Sequence, residues 1–127
     1  MLLHLTDLSG ESLQGQIVRQ IRALVLAGEL NAGDGLPSIR KLARDHHVSV
    51  ITVQRAYESL EREELIHSRR SKGFFVSEIS DLNKKAMARD RLKQDIQVSI
   101  GSALDEGLKK KDISEVIEMI FKEKKAK

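Results

Sequence analysis

The sequence predicts a mainly α-helical chain with one small β-hairpin, organised as an N-terminal domain over residues 1–78 and a two-helix region over 79–127. Three observations carry this expectation. Apolar residues recur at helical spacing over most of the chain. Capping serines and chain-turning glycines fall between those stretches. One pair of short β-prone runs, LIHSRR and GFFVSE, flanks a glycine-containing loop.

The first helix is expected from about Glu11 to Ala27, because Leu13, Ile17, Ile21, Leu24 and Val25 fall on one stripe, and Gly28 stops it. The segment GELNAGDGLP, with three glycines and the only proline, forces a turn. Ser38 then serves as an N-cap: its short hydroxyl accepts a hydrogen bond from a first-turn N–H, and Pro37 blocks helix from upstream. The second helix is Ile39 to His46. Ser49 repeats the cap after a turn of two or three residues, and a third helix runs from Val50 to about Glu63 with Val53, Ala56, Tyr57 and Leu60 inward.

The hairpin follows, joined through Ser71, Lys72 and Gly73. Ile79 to Asp81 is a hinge, with Ser80 or Asp81 capping a long helix whose stripe is Leu92, Ile96, Ile100, Ala103, Leu104 and Leu108. Asp112 opens DISE, a capping-box pattern with Glu115, ahead of a last amphipathic helix carrying Ile113, Val116, Ile117, Ile120 and Phe121. The terminal KEKKAK is expected to fray.

A chain of 127 residues has room for one domain of roughly 70 to 80 residues plus an appendage, and none for a two-lobed enzyme. It contains no apolar run of about 18 residues, and MLLHLTDL lacks the basic start of a signal peptide, so a cytoplasmic location is expected with no membrane partner. Without cysteine there are no disulfides and no thiolate zinc sites. The net charge of +3 lies wholly in the second region: residues 1–78 hold ten Lys/Arg and ten Asp/Glu, residues 79–127 twelve and nine. Within the neutral part, Arg40, Lys41, Arg44, Arg55, Arg69, Arg70 and Lys72 form two basic clusters, and Glu58, Glu61, Glu63 and Glu64 crowd one helix end. Local patches of that kind can face phosphates.

Two capped helices joined by a short turn, the second with a face left off the apolar stripe, make a helix-turn-helix; a basic hairpin directly after it makes a wing. The chemistry this arrangement predicts is physical recognition, not bond making: of double-stranded DNA first, and as the alternative of a partner protein through the Glu58 to Glu64 cluster or the tail stripes. A helix fits the major groove, where Val50, Ile51, Thr52, Gln54 and Arg55 form the reading surface: Gln54 suits an adenine edge, and Val50 or Ile51 suits thymine methyls. Arg40 sits in a helix's first turn, where the dipole disfavours a cation, so a structural role needs a nearby carboxylate, whereas a phosphate would serve directly. Arg69, Arg70 and Lys72 supply the wing, and the capping serines Ser38 and Ser49 complete the candidate set. Spacing leaves two points open: Ile51 also fits a core position, and Arg55 equally suits a pair with Glu58 or Glu61.

No cofactor, metal site or catalytic residue is expected. His46 and His47 are adjacent and diverge, His4 and His67 are isolated, and no nucleophile–base motif or phosphate-binding glycine loop occurs. The stripes of the tail either fold back on the first domain or bury against a second copy. A homodimer is expected, with Leu92, Ile96, Ile100, Leu104, Leu108, Val116, Ile117, Ile120 and Phe121 at its interface. Whether a small-molecule effector binds is left open by a tail this short.

The string GELNAGDGLPSIRKLARDHHVSVITVQRAYESLEREELI, completed by GFFV, resembles the GntR-type transcriptional regulators and, within them, the short YtrA-like branch. The resemblance implies a dimeric repressor on a pseudo-palindromic operator, with the tail as dimerisation element and with Arg40, Thr52 and Gly73 contacting DNA. The family commonly has glycine where this chain has His47 and Glu64, and arginine where it has Val50. A positive φ at either of the first two positions would carry strain.

Overall fold

The computed structural model describes residues 1–125 and divides into two compact units, residues 1–85 and from Ala86 onward. In the first, α1 (Leu13–Leu26), α2 (Ile39–His46) and α3 (Val50–Arg62) precede an antiparallel pair, β1 (Ile66–Arg69) and β2 (Gly73–Val76). α1 starts later than expected because Ser12, not a residue before Glu11, is the N-cap: its Oγ accepts from Gly15 N at 3.0 Å. Its carboxylate thereby left outside the helix, Glu11 pairs with Arg19 at 3.0 Å.

The core is built from three helices and the hairpin. Ile17, Ile21 and Val25 of α1, Leu42 and Ala43 of α2, Val53, Ala56, Tyr57 and Leu60 of α3, and Leu65, Ile66 and Val76 are all buried, with α3 packed against α1, α2 and β1. At roughly 1.5–3 kcal/mol for each large apolar side chain, this cluster supplies the main drive for folding the unit. Leu24, expected on the inward stripe, is only half-buried.

Two segments read as loop or left unread are held in place. Residues 33–36 run beside β2 as a short third edge: Gly33 N donates to Val76 O at 2.8 Å, Val76 N to Asp34 O at 2.9 Å and Leu36 N to Phe74 O at 2.9 Å. Gly33 adopts φ +87° at the start of that edge, a conformation open to glycine and strained for other residues. The N-terminal segment lies on α1 through two side-chain amides. Gln16 exchanges hydrogen bonds with Thr6 and Gln20 with His4, and Leu3 beside them is buried.

The strands are shorter than LIHSRR and GFFVSE suggest, because Glu64 turns the chain at φ +63° and leaves Leu65 as a core residue ahead of β1. The last helices are α4 (Asp81–Asp105), with Ser80 Oγ accepting from Asn83 N at 3.1 Å, and α5 (Lys110–Lys125). α5 begins two residues before Asp112, which is therefore inside the first turn and not its N-cap; its carboxylate reaches back to Lys109 N at 2.9 Å. Lys122 to Lys125 continue α5 in place of fraying, and the last two residues of KEKKAK lie outside the described residues. No side chain of α4 or α5 is buried. No helix is long and apolar enough to cross a membrane among the described residues.

Candidate nucleic-acid interface

Both predicted caps form. Ser38 Oγ accepts from Lys41 N at 3.1 Å, and Ser49 Oγ accepts from Thr52 N at 3.0 Å while lying 2.7 Å from the Thr52 hydroxyl. Between the helices, His47 takes the left-handed conformation at φ 54°, and Val48 N closes the turn on Ala43 O at 3.0 Å. His47 and Glu64 thus occupy the two positions where glycine would be unstrained, at a cost of roughly 1 kcal/mol each. The tight turn at His47 holds α3 against α2, so that the N-terminal turns of α3 are presented outward.

On α3, Val53, Ala56, Tyr57 and Leu60 face inward, and Val50, Ile51, Gln54 and Arg55 stay exposed. Val50 is 46% exposed and Ile51 58%, which settles the open point: Ile51 is not part of the core. Thr52 is half-buried, and its hydroxyl, engaged by Ser49, keeps lone-pair capacity for one more partner.

The buried Tyr57 fixes the back of this helix. Its hydroxyl donates to Pro37 O at 2.7 Å, and its ring meets Phe74 edge-on at 5.0 Å, so one side chain joins α3, the approach to α2 and the hairpin. Burial pushes its ionisation well above the ordinary tyrosine range.

Arg40 is exposed on the first turn of α2, and among the described residues no carboxylate pairs with it. Its neighbour Lys41 differs, donating to Asp45 at 2.8 Å; that hydrogen bond is the main reason the Asp45 carboxyl lies below its ordinary value. Arg55 makes neither of the ion pairs that spacing allowed.

In the hairpin, Lys72 N donates to Arg69 O at 3.0 Å, Ser71 sits at φ +63° and Gly73 at φ +102°, placing Arg70, Ser71 and Lys72 at an exposed tip. The Arg69 guanidinium lies 4.4 Å from the centre of the Phe75 ring. A cation held over a ring loses side-chain freedom while keeping its charge and N–H groups available at the ring's edge.

The acidic cluster is used inside the domain. Glu61 accepts from both the backbone N and the hydroxyl of Ser68, at 3.2 and 3.0 Å, tying the start of the wing to α3. Glu63 forms a two-pronged pair with Arg22 of α1 at 2.8 and 2.9 Å. Glu58 accepts from Gln54. Sequence reasoning missed these roles, along with the Phe75 platform; the one legible signal was the i,i+4 spacing of Gln54 and Glu58. His67 bonds Ser77 at 3.0 Å, far along the chain from His46 and His47, and among the described residues no three metal-ligating side chains converge.

Comparison with known proteins agrees with this arrangement. The family model for bacterial regulatory proteins of the gntR family matches residues 13–76. The HTH-type transcriptional repressor YtrA of Bacillus subtilis (strain 168) is 34% identical over 97 residues, covering 73% of this chain and 75% of that protein. A GntR family transcriptional regulator from Listeria monocytogenes superposes with a TM-score of 0.73 at 30% identity, over 87% of this chain and 96% of that one. YtrA from Sulfolobus acidocaldarius, a GntR-family transcription factor, superposes with a TM-score of 0.60 at 31% identity, over 76% and 99%. The capped helix pair, the basic hairpin and these matches together place the chain in the GntR family of bacterial transcriptional regulators.

Proposed function

We propose that this regulator is a cytoplasmic, non-enzymatic homodimer that represses transcription by binding a pseudo-palindromic operator, with residues 1–78 holding DNA and 79–127 holding the two copies together. One observation carries the reading. The row Val50, Ile51, Gln54 and Arg55 is exposed on a helix whose opposite face is fully packed, with cations at Arg40, Arg70 and Lys72 that form no ion pair among the described residues. A helix face so mixed in apolar and amide groups suits base edges, and the flanking cations suit phosphates. Ser38, Ser49, Thr52, Arg69 and Gly73 complete the contact surface. The repressor role of the Bacillus subtilis relative supports repression here.

Selection of bound sites from random DNA, followed by footprinting, tests the reading. Two half-sites about 34 Å apart, one helical turn, are expected. Absence of any protected sequence at physiological salt contradicts it. Arg40→Ala is expected to weaken binding to all sequences and flatten the dependence on salt by about one counterion, whereas Gln54→Ala alters preference at one base pair by about 1–3 kcal/mol. Equal losses on every sequence in both variants overturn the division of labour.

The wing gives a second expectation. Phe75→Leu keeps apolar bulk but removes the ring beneath Arg69, so binding should weaken nearly as much as in Arg69→Ala, and the double variant should be no worse than Arg69→Ala alone. Additive losses in a fluorescence-anisotropy titration rule out the platform role.

A further inference from the structure

Gln54 and Glu58 stand one helical turn apart on the exposed side of α3, and Gln54 Nε2 lies 3.2 Å from Glu58 Oε1. The direction of this bond is set by chemistry: an ionised carboxylate only accepts, so the amide nitrogen must be the atom turned toward Glu58, and Oε1 is turned away from it. Glu58 has alternatives it does not take. Arg55 and Arg62 sit at positions i−3 and i+4 from it on the same helix, yet no ion pair forms with either among the described residues. Glu61 and Glu63 are committed elsewhere, to Ser68 and Arg22. Glu58 is the member of the acidic cluster whose hydrogen bond serves the recognition face.

We propose that Glu58 is a positioning residue that locks the Gln54 amide in one orientation and thereby makes Gln54 a reader of adenine in preference to guanine. The inference rests on α3 being the helix that enters the major groove. A free glutamine amide can turn over about its last torsion and exchange its oxygen and nitrogen, so it serves several base edges. With one N–H held by Glu58, the groups left to the base are Oε1 and the second N–H. Adenine matches that pair through its N6 amino donor and N7 acceptor. Guanine presents two acceptors, O6 and N7, so O6 would meet Oε1 acceptor against acceptor. Glu58 also brings negative charge near the DNA backbone, which lowers affinity for every sequence alike and leaves the ratio between sequences to report orientation alone.

The test is competitive binding of the full-length protein to its selected site and to the same site changed one base pair at a time, for wild type, Glu58→Ala, Glu58→Gln, Gln54→Ala and the Gln54→Ala/Glu58→Ala double variant. Both Glu58 variants remove an exposed charge and should fold as wild type, checked by circular dichroism. The expected result is a rise or no change in overall affinity, with adenine-over-guanine discrimination falling about threefold or more at the single base pair whose preference Gln54→Ala abolishes. In the Gln54→Ala background, Glu58→Ala should change no preference further. Three results overturn the proposal. Undiminished discrimination in Glu58→Ala means the amide needs no lock. A further shift of preference in the double variant means Glu58 acts on DNA directly. No change at any position in Gln54→Ala means Gln54 reads no base, and operator binding by wild type then stands without it.

Discussion

Placing a carboxylate in the middle of the α5 stripe, Ile117→Glu, is expected to turn the proposed dimer into a monomer and to lower operator affinity by roughly a hundredfold or more. The tail helices carry an apolar load that they do not cover between themselves: Leu92, Ile96, Leu104, Leu108, Val116, Ile117, Ile120 and Phe121 are all exposed, from 37% at Ile117 to 61% at Phe121, while Ile100, Ala103 and Ile113 of the stripes reach half-burial. Burying one such side chain contributes about 1.5–3 kcal/mol, and in a two-fold interface each loss is counted twice. The substitution removes that term and sets two like charges facing an apolar surface. A monomer holds one half-site, so it loses the high effective concentration by which the first contact assists the second, commonly worth 10²–10⁴ in affinity. Val98 supplies the control. It is 72% exposed and lies about 200° round α4 from Ile96, away from the stripe, so Val98→Glu should leave both mass and affinity unchanged. Light scattering coupled to size exclusion and a gel-shift titration read the two quantities. A dimer of Ile117→Glu with wild-type affinity removes the tail from the interface.

What was legible in the sequence was what depends on neighbours along the chain. Ser38 and Ser49 announce their helices because a cap is made within three residues, and the Val53–Leu60 stripe announces its buried face because a helix repeats its side every turn. The exposed face of α3 followed by subtraction. Contacts between distant segments were not legible. Residues 33–36 read as a turn, correctly by composition, but nothing local says that they hydrogen-bond β2; the same holds for Gln16 and Gln20 gripping residues 4–6. The roles of Glu61 and Glu63 were not legible because their partners, Ser68 and Arg22, come from other elements. Asp112 was placed at a cap because a carboxylate at the N-cap and one in the first turn leave the same local signature; only the start of α5 separates them.

Tyr57→Ala is expected to be the most destabilising single change in the first unit, because this side chain is fully buried and serves three elements at once. Truncation leaves a cavity under Phe74 and strips the Pro37 carbonyl of its donor; losses of about 3–5 kcal/mol are usual for a buried aromatic. Against a total stability of about 5–15 kcal/mol, the variant should melt lower by roughly 15–30 °C and retain little DNA binding at growth temperature. Tyr57→Phe separates the two contributions. It keeps the ring and its edge-on contact and should cost only about 1 kcal/mol, the worth of one hydrogen bond, while loosening the segment that places Ser38 and Arg40. The two variants also differ in alkali. Burial raises the folded-state ionisation of Tyr57, so the stability it contributes is complete below about pH 10, where the unfolded chain's tyrosine also stays protonated, and declines as pH rises above that. Tyr57→Phe has no group to ionise and should lose less stability than wild type between neutral and strongly alkaline pH in urea titrations. Equal alkaline losses in the two proteins, or a Tyr57→Ala variant melting within a few degrees of wild type, contradict the role assigned to this side chain.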